Sequence, residues 1–412
     1  MNDRIRLHEY ERREISLSPE DQAIFLADTS RRISIAPTAV PGRVEMSPNQ
    51  YVGVVRLPSG ITLDLLPKVP LYNVMWMIAE VERLDGINYH SFDHEVRINT
   101  FDDILEPIAS AFVGLVEHLV DRGLYRAYIE QEDNLPAVRG RIEFREDLNQ
   151  NVVLRHRTYC RFTEFSWDVA ENQVIRQVIR TLVGWRFSRR LTNRLISLDR
   201  QMEDVQPGNL RAHDIDRFQY SRQSEHYRPI HRYCRLFLEG FSLSEQVGDS
   251  PFNGFLMDMN VLFERFVAIR LRQSLAAHHN RAKLHRQDSH PLFYGASIRI
   301  QPDLVLTIDN HTALVADTKY KKVGPGADGS SADYYQIITY CTVMELNHGV
   351  LIYPRHLVDV TQRLPVVGSD IIIHETSIDL RESRDSILQE FSTLAWQLVH
   401  LSHRPLRTMT SA

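Results

Sequence analysis

Two apolar, strand-favouring runs meet at Asp309-Asn310: Ile298 to Ile308 before it and Thr312 to Tyr320 after it. Asp and Asn tolerate the positive φ of a tight hairpin turn, so the pattern predicts two adjacent antiparallel strands. That pairing constrains whatever else the region does. Side chains two apart on a strand share a face. Asp317 and Lys319 therefore emerge side by side, while Ala316 and Thr318 face the other way. The turn also brings Asp303, which follows Pro302, alongside them. A helix is expected before the hairpin, over 257–275. Another follows over 334–347, with a short apolar strand at 350–353. This is an α/β order around a compact mixed sheet.

Upstream, Tyr51 to Leu66 reads as a second hairpin turning at Pro58-Ser59-Gly60. Helical spacing predicts helices over 73–84, 102–122, 172–187 and 229–243, with strand character at 125–132 and in a run ending at Phe165. Residues 246–254, rich in Gly, Asp, Ser, Pro and Asn, read as a linker. A chain of 412 residues exceeds what one core usually organises. The expected division is a β-rich domain over 1–130, a largely helical basic segment over 131–245 and an α/β domain over 246–412. The chain as a whole is α+β.

Charge is unevenly spread. Residues 137–240 hold 19 arginines against 13 acidic residues, within a chain of net charge −5. Such a segment suits phosphates or an acidic partner, and equally a solvated helical surface with ordinary ion pairs. Lysine is scarce. Only Lys68, Lys283, Lys319, Lys321 and Lys322 occur among 48 basic residues, and three of the five fall within four positions. Where arginine is the default, a retained lysine suggests a site that wants a compact ammonium.

Several function classes are disfavoured. No apolar run is long enough for a membrane span, and the polar N-terminus lacks the core of a secretion signal. Cys160, Cys234 and Cys341 are too far apart for a zinc ribbon or a disulfide framework, which fits reduced thiols in the cytoplasm. There is no phosphate-loop GxxxxGK[ST], no GxSxG elbow and no HExxH; His278, His279 and His285 read as solvated surface.

The converging Asp303, Asp317 and Lys319 suit metal-assisted phosphodiester hydrolysis. Mg²⁺, or Mn²⁺ in its place, takes carboxylate and water oxygens and polarises the phosphate. A lysine orients water or stabilises the developing charge. Glu264 lies on the largely apolar face of the preceding helix, where a carboxylate is costly unless paired or metal-bound. It is read as a third metal ligand, or else as a boundary residue paired with an arginine. Gln336 and Tyr340, four apart on the following helix, share a face that looks onto the site or simply packs on the sheet.

At these residues the sequence resembles McrC, the nuclease subunit of McrBC methylcytosine-specific restriction systems. The resemblance rests on Phe255 to Asn260 with Leu262-Phe-Glu264, Pro302-Asp303, Asp317 to Lys321, Asp333 to Tyr340 and Leu351 to Pro354. Gly60 to Lys68, Val138 to Phe144 and Asn172 to Ile175 extend it upstream. It implies a PD-(D/E)xK nuclease core with Asp303, Asp317 and Lys319 at the matching positions, and Lys321 and Tyr340 as accessory residues. It also implies DNA as substrate and a hexameric GTP-hydrolysing AAA+ motor as partner, activated by insertion of the N-terminal half. Two complexes meeting on DNA would make the double-strand break. A free-standing repair or structure-specific nuclease, and a non-catalytic adaptor of such a motor, stay open as alternatives.

Overall fold

The computed structural model describes residues 4–84, 100–153, 156–185, 187–241, 253–293, 295, 297–321, 331–357 and 359–402. The chain divides into two compact units. One joins Met1–Leu84 and Asn88–Ile104 to Ser242–Ala412; the other is Asp85–Ile87 with Leu105–Phe241. This differs from the three-part division expected above. The later boundary falls close to 245, but the earlier one lies at 104 rather than 130, and the N-terminal residues share a unit with the C-terminal ones.

The first unit opens with strands β1 (Arg4–His8) and β2 (Arg13–Ser16), helix α1 (Pro19–Ala27), strands β3 (Ser34–Pro37), β4 (Arg43–Ser47), β5 (Tyr51–Arg56) and β6 (Thr62–Leu66), and helix α2 (Leu71–Glu82). Helix α3 (Asp102–Arg122) follows. The β5–β6 hairpin turns at Gly60, whose φ of 91° suits glycine. After the second unit comes β10 (Asn253–Asp258), antiparallel to β5, giving the sheet order β1-β6-β5-β10. Gly53 of β5 opposes Leu256, and a Cβ built there would lie 2.0 Å from the Phe255 carbonyl oxygen. Only glycine permits that approach. Gly254 therefore belongs to a strand, not to a linker; residues 246–252 lie outside the described residues. Leu7, Met46, Leu63, Leu65 and Leu256 bury together in this half's core.

The remainder of the unit holds α9 (Met259–His278), β11 (Ala282–Arg286), β12 (His290–Pro291), β13 (Arg299–Ile300), β14 (Leu304–Ile308), β15 (His311–Thr318), α10 (Ser331–Val343), β16 (His348–Pro354), β17 (Gln362–Pro365), β18 (Ile372–Ile378) and α11 (Arg384–Ser402). The expected strand 298–308 is broken at Gln301-Pro302-Asp303, because proline cannot donate a ladder hydrogen bond. Asp309 and Asn310 both take positive φ, 51° and 64°, as the hairpin reading required. Six strands form a mixed sheet in the order β11-β14-β15-β16-β18-β17, with β15, β16 and β18 mutually parallel at its centre. Ile337 and Cys341 of α10 pack on Val315, Leu351, Tyr353 and Ile373. Leu314 and Ala316, on the other side of β15, are buried too, so the central strands are covered on both faces.

The two halves of this unit are bound to each other. Trp76 of α2 meets Phe266 of α9 edge-on at 5.0 Å. Arg270 and Arg265 of α9 pair with Glu80 and Glu82 of α2 at 2.6 and 2.9 Å. Asn73 donates to the Leu380 and Glu382 carbonyls at 2.8 and 3.0 Å.

The second unit contains most of α3, strands β7 (Ala127–Leu135), β8 (Arg141–Ile142) and β9 (Thr158–Ser166), and helices α4 (Phe144–Gln150), α5 (Ala170–Val183), α6 (Arg189–Gln201), α7 (Ala212–Ile215) and α8 (Arg228–Gly240). The three strands pair in the order β7-β9-β8. Phe112 packs against Tyr233 and Phe237 of α8 in its core. Buried Asn172 accepts from the Tyr227 hydroxyl at 2.8 Å and donates to the Tyr125 and Trp167 carbonyls. Among the described residues, no helix is long and apolar enough to cross a membrane.

Candidate active site

Asp303 stands at the foot of β14, immediately after the proline break. Its carboxylate Oδ2 accepts from both the Thr318 amide, at 2.8 Å, and the Thr318 hydroxyl, at 2.7 Å. The backbone carbonyl of Asp303 accepts from the Gln287 amide at 3.1 Å. These bonds fix the carboxylate against the end of β15, where Asp317 lies one residue earlier.

Asp317 is 2% exposed. It shares the face of Val315, against α10. Burial, together with the adjacent Asp303 charge, pushes its carboxyl up to about 6, although Lys319 pulls the other way. Lys319 sits just past the last residue of β15. Its amide donates to the Ile352 carbonyl at 3.0 Å, which holds the backbone to β16. Its ammonium pairs closely with Asp317 and donates to Gln336 Oε1 at 2.9 Å. Burial alone would lower the Lys319 pKa; the carboxylates of Asp317, Asp333 and Asp303 outweigh it, and the net shift is upward.

Helix α10 completes this side. Gln336 Nε2 donates to the Tyr340 hydroxyl at 2.6 Å, and that hydroxyl lies 3.4 Å from the Gln301 carbonyl. The shared face of Gln336 and Tyr340 therefore both meets Lys319 and packs on the sheet. Asp333, 6% exposed, joins in: it pairs closely with Lys321 and lies 3.8 Å from Lys319. The sequence reading did not single it out. Its position three residues before Gln336 is the spacing that puts both on one helix face, and that signal was available.

Glu264 of α9 is placed differently. It accepts from Arg286 at 3.0 Å and from Gln287 Nε2 at 3.2 Å, which is the arginine-paired arrangement rather than a direct meeting with the aspartates. Gln287 links it to Asp303, since the same residue's amide holds the Asp303 carbonyl. Among the described residues, no three His, Cys, Asp or Glu side chains gather closely enough to hold a metal ion on their own. Asp303 and Asp317 form a close pair. Two carboxylates with water filling the other positions is the usual donor set for Mg²⁺. An acid pushed up to about 6 by burial and a like-charged neighbour is one that a divalent cation would stabilise.

The arginine-rich segment 137–240 is extensively ion-paired. Arg194 meets Glu117 at 2.6 Å, Arg161 meets Glu132 at 2.7 Å, and Arg176 meets Asp199 at 3.0 Å. Arg228 and Arg235 bind Glu225 and Glu239, both at 2.8 Å.

Comparison with known proteins identifies the family. A family model described as "McrBC 5-methylcytosine restriction system component" matches residues 46–354. The "Type IV methyl-directed restriction enzyme EcoKMcrBC" of Escherichia coli (strain K12) is 20% identical over 326 residues, covering 74% of this chain and 91% of that relative. In a solved half-complex of Thermococcus gammatolerans McrB AAA+ hexamers with bound McrC, one chain superposes with a TM-score of 0.60 at 17% identity. The match covers 96% of this chain and 100% of that one, a likeness of fold. The family match spans β5 to β16 and takes in both aspartates and the lysine, and with it the chain belongs to the McrC family of McrBC restriction-system components.

Proposed function

We propose that this chain is the Mg²⁺-dependent DNA endonuclease subunit of a motor-driven, type IV restriction system. In this reading it cleaves modified foreign DNA in the cytoplasm and stimulates GTP hydrolysis by an AAA+ partner. The observation that carries it is the buried Asp317 beside Asp303, with the Lys319 ammonium held between Asp317 and Gln336.

The sheet around these residues serves as a PD-(D/E)xK core. Asp303 and Asp317 would hold the metal, which when bound polarises the scissile phosphate and lowers the pKa of a water. Thr318 keeps Asp303 oriented through two hydrogen bonds on one oxygen. Lys319 supplies a compact positive charge where negative charge develops on the phosphate. Gln336 fixes the ammonium, and Tyr340 fixes Gln336. Glu264 acts on the site through Gln287.

The partner follows from the relative in which McrC is bound to McrB AAA+ hexamers. Two such assemblies meeting on DNA would cut both strands. The test is cleavage of modified and unmodified plasmid with Mg²⁺, with and without an AAA+ partner and GTP. Cleavage that requires the partner, GTP and Asp317 supports the proposal. Cleavage without a partner points to a free-standing nuclease. Stimulated GTP hydrolysis without any cleavage points to an adaptor.

A further inference from the structure

The backbone that carries Lys319 is gripped from a distant part of the sequence. Its amide is tied to β16, but the residue after it, Tyr320, has left the sheet. Tyr320 is 2% exposed, and four side chains converge on it. Its hydroxyl donates to Glu9 Oε1 at 3.0 Å and lies 3.3 Å from His356 Nε2. Its backbone carbonyl accepts from the Tyr10 hydroxyl at 2.6 Å. The ring packs against Phe263 of α9 at 5.7 Å.

Glu9 and Tyr10 follow directly on β1, more than 300 positions before the residue they hold. Glu9 is fully buried. Its Oε1 also accepts from the Lys68 amide at 2.8 Å, at the end of the β5–β6 hairpin. A buried carboxylate is costly, and a core that needed only packing would use an apolar side chain. Tyr10 has φ of 60°, a left-handed conformation rare for a bulky residue. Strain of this kind persists where the surroundings over-determine it and often marks a working part. Here the strained turn aims a hydroxyl at the carbonyl of Tyr320, the residue after Lys319.

We propose that Glu9 and Tyr10 are positioning residues for Lys319: the N-terminal turn clamps Tyr320 by phenol and carbonyl, and so sets where the Lys319 ammonium stands. The clamp rests on the nuclease reading for its purpose. It also makes the N-terminal half, expected above to bind the motor, a physical part of the cleavage site.

The five lysines of the chain make a direct test practical. The full-length protein and its Tyr10→Phe and Tyr320→Phe variants, which remove the hydroxyls bonded to the Tyr320 carbonyl and to Glu9, are acylated with limiting acetic anhydride, without metal, DNA or partner. Labelling of Lys319 is then compared with that of exposed Lys283 by mass spectrometry. The clamp predicts that each variant raises Lys319 labelling relative to Lys283 about fivefold, the scale of one lost hydrogen bond. Cleavage turnover falls by a similar factor, while DNA affinity stays at the wild-type value and the variants remain folded, with melting temperature lowered by no more than about a few degrees. An unchanged labelling ratio in folded variants overturns the proposal. So does labelling that rises equally at both lysines, or a loosened Lys319 with full turnover. If the wild type itself does not cleave, the nuclease reading falls, while the labelling ratio still decides whether the clamp exists.

Discussion

In the helical unit, Arg194 grips Glu117 with two bonds of 2.8 and 2.6 Å, and the two side chains remain 30% and 39% exposed. Arg161 stands among Glu130, Glu132 and Glu143 in the same half-exposed way. In the central sheet of the other unit, Asp303, Asp317 and Asp333 face Lys319 and Lys321 with far less water to screen them. The arginine-rich surface is numerically more charged, yet these arginines are paired and hydrated. The sheet site is poorer in charge, but Asp317 and Asp333 are buried and Asp317 is driven towards its neutral form. The lesson is that imbalance at low dielectric, not abundance of charge, marks the place where chemistry is expected.

The sharpest way to break this comparison is truncation in the sheet. Asp303→Ala and Asp317→Ala are each expected to reduce cleavage by at least about a thousandfold, the scale of lost metal-ion catalysis. Folding, read by circular dichroism, and partner binding should survive. Full cleavage by either variant removes the site assignment. Lys319→Arg keeps the charge but replaces a compact ammonium with a planar fork. It should lose roughly a hundredfold in turnover; wild-type rates would show that any cation suffices.

The two regions should also respond oppositely to acid in metal-free protein. Asp317 titrates near 6 when folded, above its ordinary 3.8. Its protonation stabilises the fold fully below 3.8, and that contribution is lost as pH rises through about 6. Buried His231 of α8, between the Tyr220 hydroxyl and the Glu171 carbonyl, is pushed down by desolvation to about 4 from 6.5. Its share of stability is complete above 6.5 and is lost as pH falls towards 4. Melting temperatures across this window should fall more steeply on acidification in Asp317→Asn and less steeply in His231→Gln. Identical slopes in all three proteins would contradict the assignment. The smallest effect is expected from Arg194→Ala, which should cost less than about 1 kcal/mol of stability because its ion pair is hydrated. With partner and GTP present, its plasmid cleavage should match wild type. A larger loss of stability would show that the helical unit depends on this charge.

Much of the sheet was legible because its signals are local. The Asp309-Asn310 turn, the alternation along β15 and the helix after it are all written within about fifty residues. The convergence of the candidate site residues was legible for the same reason, since Asp303, Asp317 and Lys319 lie at one hairpin. What escaped depends on distant partners. Residues 253–254 look like linker because Asn and Gly carry no strand signal; they become strand through pairing with β5, far upstream. Glu264 carried two readings, a third metal ligand or a carboxylate paired with an arginine, and the arginine that pairs with it, Arg286 on β11, lies 22 positions away in sequence. Nothing near Glu9 in the sequence announces Tyr320.

The approach of β10 to Gly53 has a consequence for synthesis. The chain emerges N-terminus first, so β5 has one open edge until residue 258 has been made. Leu105–Phe241 is continuous in sequence and is complete before that strand exists. The ribosome therefore delivers the inserted unit whole, between the two parts of a sheet still waiting for its fourth strand. A premature stop between β6 and β10 leaves the β5 edge bare and able to pair with other chains. Gly53 allows the late strand to close that edge, and any side chain there would stand in its way.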